Sequence, residues 1–397
     1  MIPEIRKQYN QAFTPEKYAA FLTDINTQYG YEVPFRQAET PVFLTDGFRD
    51  RVIEAGNEVA EKVLSPEFFQ NSDNAIPKGL SVPNDPGYAG MLAIDFAICK
   101  DKDGEWIPQL IEMQGFPSLY AYQVFLSGMY QKHFEISDDF TCLFGGLTLE
   151  EYKSRLKGWI LNGHNPENVI LLEIEPYEQK TAIDFYVTED WVGIKSVCIS
   201  EVTIEDGKLY YELNGKKTLI KRIYNRVIFD ELLPRTDLKR TFNLTEDVGV
   251  EWVCHPNWFF RISKFTLPQL KSIYVPETHY VHKLTEYPQE LENFVLKPLF
   301  SFAGQGVKIN ITKEDIEAVT DRENWILQRK VTYEPVFQDP DGVGVKAEIR
   351  LLFLHNPETQ KCELVANLGR LSKGLMVGVR YNKDFEWVGA SSYFFRR

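Results

Sequence analysis

Seven residues, Asn168-Val-Ile-Leu-Leu-Glu-Ile174, limit the fold of this chain more than any other stretch. A short apolar run with almost no alternation has to be covered on both faces, which is the situation of a strand inside a parallel sheet. Residues 179–190 follow with the spacing of an amphipathic helix, and Gly193-Ile-Lys-Ser-Val-Cys-Ile199 reads as a second strand. Parallel strands need such a crossover, so this is a βαβ unit and the fold class is α/β in the broad, α+β sense. Next, Leu209–Lys221, centred on Asn214-Gly215, reads as a hairpin, because both central residues of a tight hairpin turn need positive φ. The strand after it ends in Ile223-Tyr-Asn-Arg226. Open α/β sheets bind ligands at such strand ends, so Arg226 is a candidate for a substrate carboxylate. An ion pair with Asp230 or Glu231 at the surface is the alternative.

At 397 residues, two or three domains are expected. A net charge of -13 argues against sequence-independent nucleic-acid binding, which needs Lys and Arg to neutralise phosphates. The five cysteines are scattered singly, with no C-x-x-C pair, so neither a zinc site nor a disulfide framework is indicated. No signal-peptide apolar region and no run approaching roughly 18 apolar residues is present. A soluble, unprocessed, cytoplasmic protein without membrane partners is expected.

Two other regions carry chemistry. Met91–Ile98 and Trp106–Met113 are strand-like runs around a polar Asp-Gly turn, and they read as a hairpin. Asp95 sits among apolar neighbours, and Glu112 and Gln114 share a face at period two. Such oxygens suit a hard cation held together with substrate phosphates, although carboxylates on an exposed sheet face would look the same. Phe294-Val-Leu-Lys-Pro298 is a strand ending at Lys297 and running into a loop with Gly304 and Gly306. A lysine and glycine-rich backbone can hold phosphate; a strand and turn with a solvated lysine is the plain alternative. Helices are expected over residues 1–75, where Val52, Ala55, Val59 and Val63 form one apolar face, and over 123–165. A charged helix-like segment is expected before residue 290. Strands are expected at 306–311, 325–331 and 345–354, with a helix started by Thr312 and Asp315.

The order of these parts resembles the ATP-grasp superfamily, and more closely the permuted eukaryotic-type glutathione synthetases and glutathionylspermidine synthetases. Ile94-Asp-Phe through Gln109-Leu-Ile-Glu-Met-Gln114 looks like that branch's metal-binding hairpin, and Ile223-Tyr-Asn-Arg226 like its substrate-binding V-Y-F-R. The resemblance implies ATP and Mg²⁺ as cofactors, with Asp95, Glu112 and Gln114 on the metal and Arg226 on a substrate carboxylate. It further implies phosphate contacts from Lys264, Lys297, Gly304 and Gly306. The hinge residues Leu327, Gln328, Lys330 and Val331 would meet adenine, and Glu348 the ribose. Three domains would be 1–165 with the metal hairpin, 166–240 as a βαβ substrate domain, and 241–397 with the nucleotide lysines and lid. The implied reaction joins a small carboxylate to an amine through an acyl phosphate, with Lys297 and Arg226 as the catalytic residues. This chain differs from the pattern in carrying Ser301 for a loop glutamate, Ala93 for an arginine, and Leu371, beside Arg370, for the arginine before Ser372-Lys373. A non-catalytic nucleotide-binding protein is therefore the alternative reading.

Overall fold

The computed structural model describes residues 1–300, 305–374, 377, 382 and 384–397. Three helices begin the chain: α1 (Pro3–Ala12), α2 (Pro15–Gln28) and α3 (Asp46–Val63). Thr14 starts α2 by accepting the Lys17 N–H, and proline occupies its first turn, where no amide partner is needed. The expected apolar face of α3 is buried, including Val52, Ala55, Val59 and Val63.

The hairpin follows as β1 (Met91–Lys100) and β2 (Trp106–Gln114), turned at Gly104 with φ +81°. After α4 (Tyr120–Phe134) and α5 (Leu149–Leu161), the βαβ unit forms as read: β3 (Val169–Glu173), α6 (Ala182–Val192) and β4 (Lys195–Cys198). The Asn214-Gly215 hairpin is present with φ of 51° and 75° at its two turn residues. The parallel sheet is completed by β5 (Arg222–Asn225) and β6 (Glu251–Val253), in the order β6-β5-β3-β4.

The charged helix expected before residue 290 does not form. Trp258–Arg261 is a single helical turn, and Pro268 lies in a 3₁₀ segment, Lys264–Gln269, leading to the edge strand β7 (Thr278–Tyr280). A proline inside such a charged stretch removes an amide and blocks helix propagation. β8 (Phe294–Pro298), β9 (Lys308–Ile309) and β10 (Trp325–Arg329) complete an antiparallel sheet ordered β7-β10-β8-β9. The strand expected at 306–311 is thus only two residues long. The helix after it, α7 (Lys313–Glu317), has the expected start, a reciprocal capping box between Thr312 and Asp315.

Two long strands end the chain, β11 (Gly344–Asn356) and β12 (Lys361–Ser372), with β13 (Gly389–Ser391) at the edge. They pair antiparallel with the hairpin in the order β13-β12-β11-β1-β2. Along β11, Ala347, Ile349 and Leu351 belong to the largest apolar cluster, which also contains the buried face of α3. Glu348 and Arg350 alternate with them and so point to the opposite face. A second apolar cluster joins the parallel sheet to Phe259 and Phe260, and a third lies behind β8 and β10. Among the described residues, no helix is long and apolar enough to cross a membrane.

Candidate functional site

Strand register brings the charged residues together. Asp95 on β1 is opposite Glu112 on β2 and Arg350 on β11, while Glu348 is opposite Arg370 on β12. Arg350 grips Asp95 with two nitrogens, at 2.6 and 2.7 Å, and Arg370 Nη2 reaches the same carboxylate at 2.6 Å. The same Nη2 lies 2.8 Å from Glu348, which also accepts the Tyr333 hydroxyl. Burial alone would raise the Asp95 carboxyl, but the guanidinium charges of Arg350 and Arg370 outweigh it and hold it below the usual range. Glu348 goes the other way, raised by burial despite Arg370.

The lysines stand beside this row. Lys297 is buried at the end of β8, and its ammonium donates to Gln328 Oε1 at 2.5 Å. Burial pushes the Lys297 ammonium down to about 8, against the charges of Glu112 and Glu348. Lys264 is equally buried and lies 3.8 Å from Glu112 Oε2. Glu112, Gln114, Lys264 and Phe300 line one small cavity, and the buried Gln114 Oε1 has no hydrogen-bond partner among the described residues. Gly115 holds this corner tight: a Cβ there would lie 2.5 Å from the Trp258 carbonyl oxygen, so only glycine lets the hairpin end dock on the segment that carries Lys264.

Arg226 is delivered by β5, its amide donating to the Leu172 carbonyl at the end of β3. It is nine-tenths buried, it stacks over Phe185 at 5.4 Å, and its Nε and Nη1 have no hydrogen-bond partner among the described residues. The alternative, a surface pair with Asp230 or Glu231, is not formed among the described residues. Glu173, Asp184 and Glu231 act on Arg226 through space, and Asp184 also accepts the Ala121 and Tyr122 amides at the start of α4. Asp230, raised to about 6 by burial and by Glu231, is in turn eased by Lys264, which links the arginine corner to the lysines.

Burial pushes Glu173 up to about 8, with Arg226 opposing. A carboxyl raised on folding favours the folded state at low pH, and that contribution is lost between the ordinary value, about 4.3, and 8. Glu173→Gln is therefore expected to raise the Tm by several degrees at pH 8 and to leave it unchanged near pH 4. An equal shift at both pH values would assign the effect to packing instead.

The remaining candidates are dispersed around this centre. Leu327 is buried in the third apolar cluster, behind the sheet. Lys330 bonds the Asn310 side chain, and its amide is taken by the Asn293 carbonyl. Val331 packs against the main core. Lys373 pairs with the buried Asp339. Gly306 makes a turn with φ +73° against Pro298, whereas Gly304 and Ser301 lie outside the described residues. Arg350, Arg370, Tyr333 and Glu173 were not among the candidates. A signal for Arg350 was present in the sequence, since it falls two residues after Glu348 in an apolar strand and both had to find partners on one face.

Asp95, expected on a metal, has its oxygens engaged by Arg350 and Arg370 in this structure. Glu348, expected at a ribose, is bonded to Arg370 and Tyr333. Among the described residues no three His, Cys, Asp or Glu side chains converge on a cation position. What remains is Glu112, shared with Lys264, and the neutral Gln114 oxygen. Together with phosphate oxygens and water, this pair of donors would suit a magnesium ion.

The parallel sheet, the sheet of the Asp95 hairpin and the sheet carrying Lys297 together form a glutathione synthetase-like α+β fold. It is shared with the solved structure of a glutathione synthetase-like effector from Globodera pallida in its apo form, with a TM-score of 0.57 over 96% of this chain and 97% of that chain. The identity is 11%, so this likeness concerns the fold. No family model and no curated protein matches the sequence.

Proposed function

We propose that this chain binds a nucleotide through Lys264 and Lys297 and a small carboxylate through Arg226, in adjoining parts of one cleft. The permuted ATP-grasp arrangement read from the sequence is the frame for this reading, with Gln328 and its neighbours beside the base. The observation that carries it is Arg226, a nine-tenths buried guanidinium with two unpaired nitrogens at a parallel strand end. Buried guanidinium nitrogens without hydrogen bonds are costly unless a ligand completes them, and a carboxylate matches the planar fork of arginine.

The reaction that such ligands support is carboxylate–amine ligation. The substrate carboxylate oxygen attacks the γ-phosphorus, the bond to the β,γ-bridging oxygen breaks, and ADP leaves. The amine then attacks the acyl phosphate, giving an amide and inorganic phosphate, and its proton is released. Lys297 and Lys264 would stabilise charge on the transferred phosphoryl group, and Arg226 would hold the acid; catalysis of this kind is mostly positioning and electrostatics. Sequestration of Asp95 by two arginines favours a second reading, a binder of the same ligands without turnover.

Thermal unfolding with ATP, together with ADP release over a panel of amino acids and amines, tests both readings. ATP should raise the Tm of the wild type and leave Lys297→Met unshifted. An equal shift in the variant would sink the nucleotide site. ADP release that requires both an acid and an amine identifies the ligase, and stabilisation without release identifies the binder.

A further inference from the structure

We infer that an open cleft between the end of α2 and the outer face of α6 binds a small organic ammonium ion, set against the rings of Tyr29 and Tyr186 and held by the carboxylates of Glu189 and Asp190. This cleft shares no residue with the nucleotide and carboxylate site proposed above, so either can fail without the other.

One stripe of α6 builds the cleft. Tyr186, Glu189, Asp190 and Gly193 are spaced three and four apart and so share a face. They are half-buried or exposed, whereas Ile183, Asp184, Val187 and Thr188 are buried on the other side of the helix. Tyr29, directly after α2, closes the cleft by donating its hydroxyl to Asp190 Oδ2 at 2.9 Å. With Lys195 at its edge the cleft measures about 580 Å³, a volume within the range of small-molecule sites.

The lining selects the sign of the ligand. The Tyr186 ring stands 5.5 Å from that of Tyr31 and 5.4 Å from that of Tyr177, which makes an aromatic wall beside the two acids. A ring face attracts a cation, and a carboxylate accepts the N–H groups of an ammonium. The phenols orient the acids without neutralising them: Tyr177 donates to Glu189 Oε1 at 2.8 Å, as Tyr29 does to Asp190. Lys195 is the cation of the lining. Its ammonium lies 3.7 Å from Glu189 Oε2, which balances one acid of the two. The other bases of these helices are turned elsewhere, Lys153 to Trp191 and Glu150, and Lys132 with His133 to Asp24. The C-terminal end of α6, where Gly193 turns the chain at φ +88°, adds partial negative charge. An anion is repelled here, and a neutral ligand gains nothing from the acids.

The test is saturation-transfer NMR of the full chain with n-butylammonium chloride, with 1-butanol as its neutral counterpart. Butylammonium should saturate, and 1-butanol should bind at least about tenfold more weakly. Tyr186→Leu, which removes the ring, and Asp190→Asn, which removes the charge, should each weaken butylammonium binding about fivefold, while Tyr186→Phe keeps it within about twofold. Ligand-free melting reports whether each variant folds, and the wild-type comparison decides even where one does not. Absence of saturation, or equal binding of the amine and the alcohol, overturns the site. Wild-type affinity in both Tyr186→Leu and Asp190→Asn, or displacement of butylammonium by ATP, places the amine elsewhere and overturns it as well.

Discussion

Asp95→Ala is expected to destabilise the free protein by about 3 to 5 kcal/mol, the typical cost of leaving a buried charge without its partner. The loss strands Arg350, enclosed under the sheet and bonded to both Asp95 oxygens, and leaves Arg370 with Glu348 alone. Urea unfolding measures it. Because the Asp95 carboxyl is held below its ordinary range, its contribution is present above about pH 4 and is lost only as pH falls through the folded value. The difference between wild type and variant should therefore be constant from pH 5 to 8 and shrink in acid. A double variant, Asp95→Leu with Arg350→Met, should recover most of the loss, since replacing both members of a buried pair with apolar groups of similar size is often neutral. An open metal ligand behaves in the opposite sense: without metal, neighbouring carboxylates repel, and removing one is neutral or stabilising. A cost below about 1 kcal/mol for Asp95→Ala, in the range of a surface pair, would count against the buried-pair assignment.

The same residue shows what the sequence could and could not convey. The hairpin around Asp95 was legible, because two strand-like apolar runs around an Asp-Gly turn have few other solutions. So was the βαβ unit, whose continuous apolar run had to be covered on both faces. The partners of Asp95 were not legible, since Arg350 and Arg370 are distant in sequence and their pairing depends on the register of two long strands beside the hairpin. The second of these strands was missed altogether: Lys361–Ser372 mixes Glu363, Asn367 and Arg370 into its run, and those polar residues are satisfied by tertiary partners that no local pattern displays. Helical appearance misled in the opposite way around Lys264, where charge spacing resembled a helix but Pro268 set a 3₁₀ turn. Arg226 was placed by its strand end, while its unbonded nitrogens became visible only with the side chain seated over Phe185.

Lys297 yields the other large effect, in ligand affinity. Its ammonium titrates at about 8 in the free protein, against about 10.4 for an ordinary lysine. The signs differ for stability and for binding. Between pH 8 and 10.4 the unfolded chain binds more protons than the folded one, so this group makes the free protein more stable as pH rises through that window. A phosphate ligand, in contrast, prefers the charged lysine and should raise its titration point. ATP affinity should then be nearly flat below pH 7 and fall as pH passes 8, reaching roughly 30-fold weaker at pH 9.5 if the bound lysine stays protonated. The phosphates themselves are fully ionised throughout the upper range, since their second ionisation lies near 6, so the fall belongs to the protein. Lys297→Arg keeps its charge across the same range and should bind ATP with a flat profile above pH 7. The two slopes share one origin, burial of a cation that waits for an anion, and titration calorimetry beside pH-dependent melting reads both. Parallel profiles for wild type and Lys297→Arg would assign the pH dependence to another group and leave Lys297 as a buried strand residue satisfied by Gln328.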